Sequence, residues 1–152
     1  NITAEEINAI YQGEITNWQD LGGPDERIVL FDLAEDENEK QVLRRAYLGD
    51  DLKITPDAIV FAEDDELIET AAITPFSMAA VPLEDELIDS PVNILSIDGV
   101  APSADALVSG QYVMSLPLGF VFNKTPSAET QDFVAFVTSA EGQSILAESP
   151  AE

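Results

Sequence analysis

A chain of 152 residues with 45% hydrophobic side chains makes one domain or a lobe of something larger, and it is apolar enough to bury a core. With no Cys and no His, it lacks disulfides, thiol chemistry, the usual transition-metal ligands and the commonest general base, so zinc sites and Ser-His or Cys-His catalysis are excluded. Thirty acids against six bases leave a formal net charge of −24, a field that repels nucleic acid, anionic lipid and free anions over a Debye length. The simpler reading of this charge is solvation, as in a protein working at high salt, and the scarcity of Lys (Lys40, Lys53, Lys124) fits it. A surface for cations or a basic partner is the alternative. No apolar run approaches the ~18 residues of a membrane span. The chain opens at Asn1 without a Met or a signal peptide, which fits either a removed leader or a piece of a longer protein.

Along the chain, "TAEE" forms a T-x-x-E capping box from Thr3 to Glu6, with Ile2 and Ile7 placed as a hydrophobic staple. Ile7, Ile10 and Tyr11 make one helical face, and Gly13 suits the helix end. "EITNWQDLGGPDE" is turn-rich, with Ile15, Trp18 and Leu21 set to pack back on that helix. "RIVLF" (27–31) reads as a short buried strand. A second helix is predicted from about Asp36 to Leu48, turning Val42, Leu43, Ala46 and Tyr47 inward before Gly49. "TPDAIVF" is a helical turn or short strand, and "DDELIETAAI" is a helix led by acids and stopped by Pro75. "FSMAAV" (76–81) and "VNILSI" (92–97) read as strands around the acidic loop "PLEDELIDSP". Ser103 caps a short helix ended by Gly110. "YVMSLPLGFVF" (112–122) reads as a long strand, at an edge or bent because of Pro117. Ser127 caps a helix to about Thr138 that is expected to bury Phe133, Phe136 and Val137. Ser139 caps a last helix carrying Ile145 and Leu146. Strands alternating with helices argue for an α/β fold.

Catalytic chemistry finds no foothold, since no nucleophile stands with a base and no carboxylate pair is marked by an apolar setting. "LGGPDE" precedes a strand and so is a tight turn, not a phosphate loop. "DLAEDENE" and "AEDDE" offer oxygen ligands for Ca²⁺ without EF-hand spacing, and acids at helix starts have a simpler cause in the helix dipole. Calcium therefore stands only as a minor reading. Tyr11, Trp18, Phe31 and Tyr47 are spaced as core residues, with pocket lining as the alternative. Thr74 and Ser77, beside Pro75 at a strand start, are placed either to touch a ligand or to close a turn by hydrogen bonds.

Several segments together resemble one family. "ITAEEINAIYQGEITNWQDLGGPDERIVLF" is similar to the opening of the second lobe of PstS-like phosphate-binding proteins of ABC transporters, which are type II periplasmic binding proteins. "IDGVAPSADALVSGQYVMSLPLGFVFN" resembles a later stretch of that family, and "FVAFVTSAEGQSIL" resembles its C-terminal helices. "TAAITPFSMAAV" is a weaker match. The resemblance implies an α/β fold, a mixed sheet flanked by helices like one lobe of a type II periplasmic binding protein. It implies a single lobe over 1–152, with 1–90 as the second-lobe core and 91–152 as the returning strand and C-terminal helices.

A phosphate-binding member would carry an Arg and then Ser-Gly-Thr after the "RIVLF" strand. Here the place reads "DLAEDENE", with Asp32 or a near neighbour for the Arg and acids with Asn38 for the rest. A carboxylate opposite phosphate adds repulsion. Phosphate binding through the family motif is thus not carried over, and these positions are expected to cap the second helix instead. The expected function is a non-catalytic, extracytoplasmic solute-binding domain of the phosphate-transporter lineage, with no cofactor and no metal. The alternative is a degenerate lobe serving as a sensory or protein-interaction module. Asp32, Asn38, Thr74 and Ser77 are the candidate ligand-binding residues. Expected partners are a small-molecule solute, an ABC permease, a missing N-terminal lobe or a second copy in a homodimer, with no nucleic acid and no membrane insertion.

Overall fold

The first helix, α1 (Ala4–Gln12), opens as its sequence requires. Thr3 Oγ1 accepts from the Glu6 N–H at 3.1 Å, and Glu6 Oε2 accepts from the Thr3 N–H at 2.8 Å. Ile2, Ile7, Ile10 and Tyr11 are all buried. Gly13 ends the helix at φ 77°, and a Cβ there would lie 2.8 Å from Thr55 Oγ1. Both the left-handed backbone and the close approach therefore demand glycine. These features come from a computed structural model that describes residues 1–83, 87, 90–116 and 119–148. The chain divides into two compact units, Asn1–Leu116 and Pro117–Glu152.

The first unit is built on three described strands: β1 (Val29–Leu33), β2 (Ile59–Phe61) and β3 (Ser77–Met78). Their order is β2-β1-β3, and both neighbours run parallel to β1. The register sets Phe31 against Ile59, Asp32 against Val60, Val29 against Ser77 and Leu30 against Met78. Helix α2 (Asn38–Leu43) widens at once into a π turn, Arg44–Leu48, and α3 (Asp64–Ile73) connects β2 to β3. The α/β class stands, with helices flanking a sheet whose described pairs are all parallel where a mixed sheet was expected. A parallel connection needs a crossover, and α2 and α3 supply it.

Central β1 is covered on both faces, which is why its sequence is almost continuously apolar. Ile28 and Leu30 join Ile2, Ile7, Ile10, Tyr11, Leu43, Leu48 and Ile97 in the larger core. Phe31 and Leu33, on the other face, join Leu67 with partly buried Val29, Phe61 and Ala71. The Phe31 and Phe61 rings meet edge to face, 5.2 Å between centroids. Ile15, Trp18 and Leu21 pack against the larger core as expected, and Trp18 Nε1 donates to the Phe76 carbonyl at 2.9 Å.

The strand predictions err in extent. The first strand lies at Val29–Leu33 instead of 27–31, because Asp32 continues it inward with a buried partner. The strand predicted at 76–81 shrinks to Ser77–Met78. The one predicted at 92–97 reduces to bridges from Ile97 to Ile2 and to Val100. None forms over the described residues of 112–122, of which Pro117 and Leu118 lie outside the description. Alternation alone does not make a strand, since a ladder partner is needed as well. Tyr112 and Met114 show the difference: they pack on the core as alternation suggests, without a ladder. Half of the acidic loop "PLEDELIDSP" also lies outside the described residues. Helix α4 (Ala104–Val108) is capped by Ser103 Oγ, which accepts from the Ala106 N–H at 3.2 Å.

The second unit holds α5 (Ala128–Val137) and α6 (Ala140–Glu148). Ser127 and Ser139 cap them, accepting from the Thr130 N–H at 3.3 Å and the Gly142 N–H at 3.2 Å. A Cβ on Gly142 would sit 2.2 Å from the Phe136 carbonyl, so the tight join between these helices requires its glycine. The expected burial of α5 is not found. No residue of this ten-residue helix is buried, and Phe133 and Phe136 are 51% and 45% exposed. A helix buries a face only against a second surface, and among the described residues the ring contact to α5 is Phe120 on Phe133, at 5.5 Å.

Gly13 and Gly22 both adopt positive φ, but only Gly13 has a neighbour within 4 Å of the missing Cβ. Gly22→Ala is expected to cost about 1 kcal/mol from backbone strain alone. Gly13→Ala is expected to cost about 1–3 kcal/mol more through the Thr55 contact. Urea unfolding of the two variants measures the difference, and equal costs would mean that Thr55 yields freely.

Candidate functional site

Open parallel α/β sheets present ligands with a surface just beyond the carboxyl ends of their strands. Here that surface is formed where β1 ends at Leu33 and turns into α2, beside the end of β2 at Phe61 and the start of α3. The Ala34 N–H donates to the Phe61 carbonyl at 2.9 Å, tying the two strand ends together. Asp32 and Asn38 lie at this end. Thr74 and Ser77 do not, because Ser77 is in register with Val29 at the start of β1. Three residue steps lead from Val29 to Asp32 along the strand, a span of about 10 Å.

The four sequence candidates differ in their surroundings. Thr74 Oγ1 donates to the Thr70 carbonyl at 2.7 Å, and Ser77 Oγ donates to the Thr74 carbonyl at 2.9 Å, so both hydroxyls close the C-terminal end of α3. Asn38 is exposed at the first position of α2. Asp32 is 4% exposed and is ion-paired with Lys40, itself 1% exposed. The Lys40 ammonium also stands over the Tyr11 ring, 5.1 Å from its centroid. Three elements thus meet around one buried positive charge: β1 supplies a carboxylate, α1 an aromatic face, and α2 the lysine.

The expectation that the acids after β1 cap α2 is overturned. Glu37 occupies the N-cap position but makes no side-chain cap bond, Asp32 points to Lys40, and Glu35 reaches Arg44 instead. Arg44 grips Glu35 with two bonds of 2.5 and 2.6 Å and donates to the Gly49 and Leu52 carbonyls at 2.9 and 3.2 Å. It therefore braces the loop before α2 against the loop after it. A charge-assisted pair held further along the helix outcompetes local capping.

Electrostatics follow this geometry. Burial raises the Asp32 carboxyl above its ordinary range, and the hydrogen bond and charge of Lys40 oppose that rise. Burial first, then the Asp32 charge, pushes the Tyr11 phenol upward, and its buried hydroxyl makes no hydrogen bond. Arg44 holds Glu35 below the ordinary carboxylate range, chiefly through the hydrogen bond. Partial desolvation and then the charges of Glu63, Asp36, Glu39 and Asp64 lift Glu37. Like charges from both helix starts thus crowd the sheet end. Among the described residues no group of acids is arranged to hold a metal ion.

Lys40 and Arg44 are the participants that the sequence reading missed, whereas Tyr11 was read as core with pocket lining as the alternative. One signal was present: Lys40 precedes Leu43 and Tyr47 at spacings of three and seven, on the helix stripe that faces the core. A lysine on such a stripe, eight residues after an acid inside an apolar strand, marks a buried pair.

Removing one partner of a buried pair strands the other charge. Lys40→Met is expected to lose about 3–5 kcal/mol, and adding Asp32→Leu should recover most of it. Urea unfolding of the single and double variants decides, and an additive double variant would deny the coupling. For Glu35 the sign follows from its lowered folded pKa. Its contribution is complete above the ordinary value of 4.5 and is lost as pH falls through the folded value. The gap in thermal midpoint between the parent chain and Glu35→Gln should therefore be open at neutral pH and close in acid. A gap that ignores pH would deny the Arg44 contact.

Comparison with known proteins places this geometry. A family model described as a PBP superfamily domain matches residues 1–141. The phosphate-binding protein PstS of Borreliella burgdorferi is 29% identical over 97% of this chain and 56% of its own length. PstS of Bacillus subtilis is 29% identical over 74% of this chain and 36% of its own length. The crystal structure of PstS from Borrelia burgdorferi superposes with a TM-score of 0.75 at 28% identity, covering 98% of this chain and 62% of that one. A substrate-binding protein from Clostridium perfringens, solved with bound phosphate, shares the fold with a TM-score of 0.83 at 22% identity, covering 97% of this chain and 60% of that one. This chain therefore spans little more than half the length of the longer curated match. A parallel α/β sheet with its helices and loops in this order, matched by a family model nearly end to end, makes the chain a member of the PBP superfamily, a PstS-like domain of the phosphate ABC-transporter substrate-binding lineage.

Proposed function

We propose that residues 1–152 form one lobe of a non-catalytic, extracytoplasmic solute-binding protein, and that this lobe does not hold phosphate through the family motif. The observation that carries the reading is Asp32: at the end of β1, where a free anion would approach, a buried carboxylate already neutralises the buried cation Lys40. Arg44 is likewise engaged by Glu35 and two carbonyls. A phosphate arriving there would meet Asp36, Glu37 and Glu39, and the base beside Asp32 among the described residues, Lys40, is already paired with it. In this reading exposed Asn38 faces the solute and buried Asp32 stands behind it as the counter-charge of Lys40, with Thr74 and Ser77 at the opposite end of the sheet. Closure of two lobes on a small solute, followed by delivery to an ABC permease, is the working cycle, with the second lobe supplied by sequence outside these residues.

A second reading, a lobe kept as a protein-interaction module, draws support from the second unit. Phe120, Val121, Phe122, Phe133, Phe136 and Ile145 are exposed there, and α5 buries none of its residues. Such apolar exposure fits contact with another lobe, a second copy or a different protein.

The test of the phosphate statement is thermal unfolding with calorimetric titration, in sodium phosphate against NaCl at equal ionic strength. The expected result is a midpoint that follows ionic strength alone, as screening of the −24 charge dictates, and no titratable heat. A phosphate-specific rise would mean an anion site built from other residues.

A further inference from the structure

We propose that Asp32 is the specificity-determining residue of this sheet end: its carboxylate is a built-in anion that fills a one-charge receptor made by Lys40 and Tyr11, and so keeps free anions out. The inference rests on the reading of the carboxyl end of β1 as the solute-facing end.

The receptor is assembled by the fold. Leu30 and Asp32 alternate onto one face of β1, which Ile28 just before the strand continues, and Ile28 and Leu30 lie in the larger core with Tyr11. Asp32 therefore points into a region that is apolar one turn of the pleat earlier. Lys40 is the third residue of α2 and turns inward at the spacing of Leu43, so its ammonium reaches the same region from the opposite side. The Tyr11 ring closes the enclosure beneath it at 5.1 Å. Lys40 bonds the Asp32 carboxylate, and the Tyr11 hydroxyl, buried and without a hydrogen bond, belongs to the same neighbourhood. The other charges that reach Asp32 and Tyr11 are already matched: Glu35 faces Asp32 but is held by Arg44.

Charge balance then determines what the locus accepts. One ammonium and one carboxylate sum to zero, so an added anion would have to be buried without a counter-charge. If the Asp32 side chain is removed, the cation remains in a space the size of a small carboxylate. A monovalent carboxylate such as formate or acetate then restores both the ion pair and the packing. Phosphate does not fit: its dianion brings one charge too many, and the monoanion that coexists with it at neutral pH is a tetrahedral ion bulkier than the carboxylate it would replace.

The experiment uses the full 152-residue chain and its Asp32→Ala and Asp32→Ala/Lys40→Met variants. Thermal midpoints are followed by circular dichroism at neutral pH in NaCl, sodium formate, sodium acetate or sodium phosphate at matched ionic strength. The expected result is that Asp32→Ala melts well below the parent in NaCl. Formate and acetate should raise its midpoint by several degrees more than they raise the parent or the double variant, and more than phosphate does. If Asp32→Ala is unfolded in NaCl, folding induced by formate or acetate carries the same meaning. Equal responses of the three proteins would overturn the proposal. Failure of Asp32→Ala to fold in every salt would overturn it too, because no solution anion would then be taking the carboxylate's place. A phosphate response as large as the acetate response would overturn the one-charge receptor. The phosphate titration of the parent chain tests the solute-facing reading separately, so either can fail alone.

Discussion

The buried contact between Asp32 and Lys40 joins three elements around one buried charge. β1 carries the acid, α2 carries the base, and the α1 ring of Tyr11 lies under the ammonium. Burying two charges is costly, and their attraction offsets that cost only when geometry and neighbours are fixed. The pair therefore specifies how α2 sits on β1 more than it adds to stability. A helix slid by one residue would leave an ammonium in the apolar core, an alternative that costs several kcal/mol. The short α2 and its π turn are consistent with a helix held to serve this contact. The first six residues present Lys40 inward, and the wider turn then brings Leu48 into the core while Arg44 remains at the loops.

Around that contact the sheet is organised by the two faces of β1. One face and its helix α1 form the larger core; the other, with Leu67 of α3 and the Phe31–Phe61 contact, forms the smaller. Because both faces are covered, the strand ends are where polar groups collect. The amino end carries the hydroxyls of Thr74 and Ser77, engaged with carbonyls of the α3 terminus. The carboxyl end carries the crowded acids of two helix starts. In this domain a carboxylate at that end, Asp32, takes the cation Lys40. The surrounding acids complement helix dipoles and water.

The second unit poses a different physical problem. Its helices are well capped and tightly joined at Gly142, so local order is strong. Yet Phe133 and Phe136, spaced three apart on α5, are left half exposed. Capping is satisfied by neighbours in sequence, whereas burial needs a second surface. Local signals thus complete these helices without burying their apolar residues among the described residues.

Much of this was legible in the sequence. The capping box at Thr3, the staple of Ile2 and Ile7, Gly13 at the helix end, the α3 boundaries and the serine caps at 103, 127 and 139 are fixed by residues within a few positions of one another. Such signals act over one helical turn, so the sequence by itself determines them. The extents of the strands were not legible, because a strand persists only where another strand offers a ladder, and that partner is distant in the chain. The candidate site divided along the same line. Asp32 was conspicuous as an acid at the end of an apolar run, but its partner was a lysine eight residues on, in a helix whose docking only the tertiary structure decides. Thr74 and Ser77 were separated from it by the register of β3 against β1, which no local pattern encodes. Local chemistry named the charged residues, while long-range packing decided which of them is matched and at which end of the sheet each one lies.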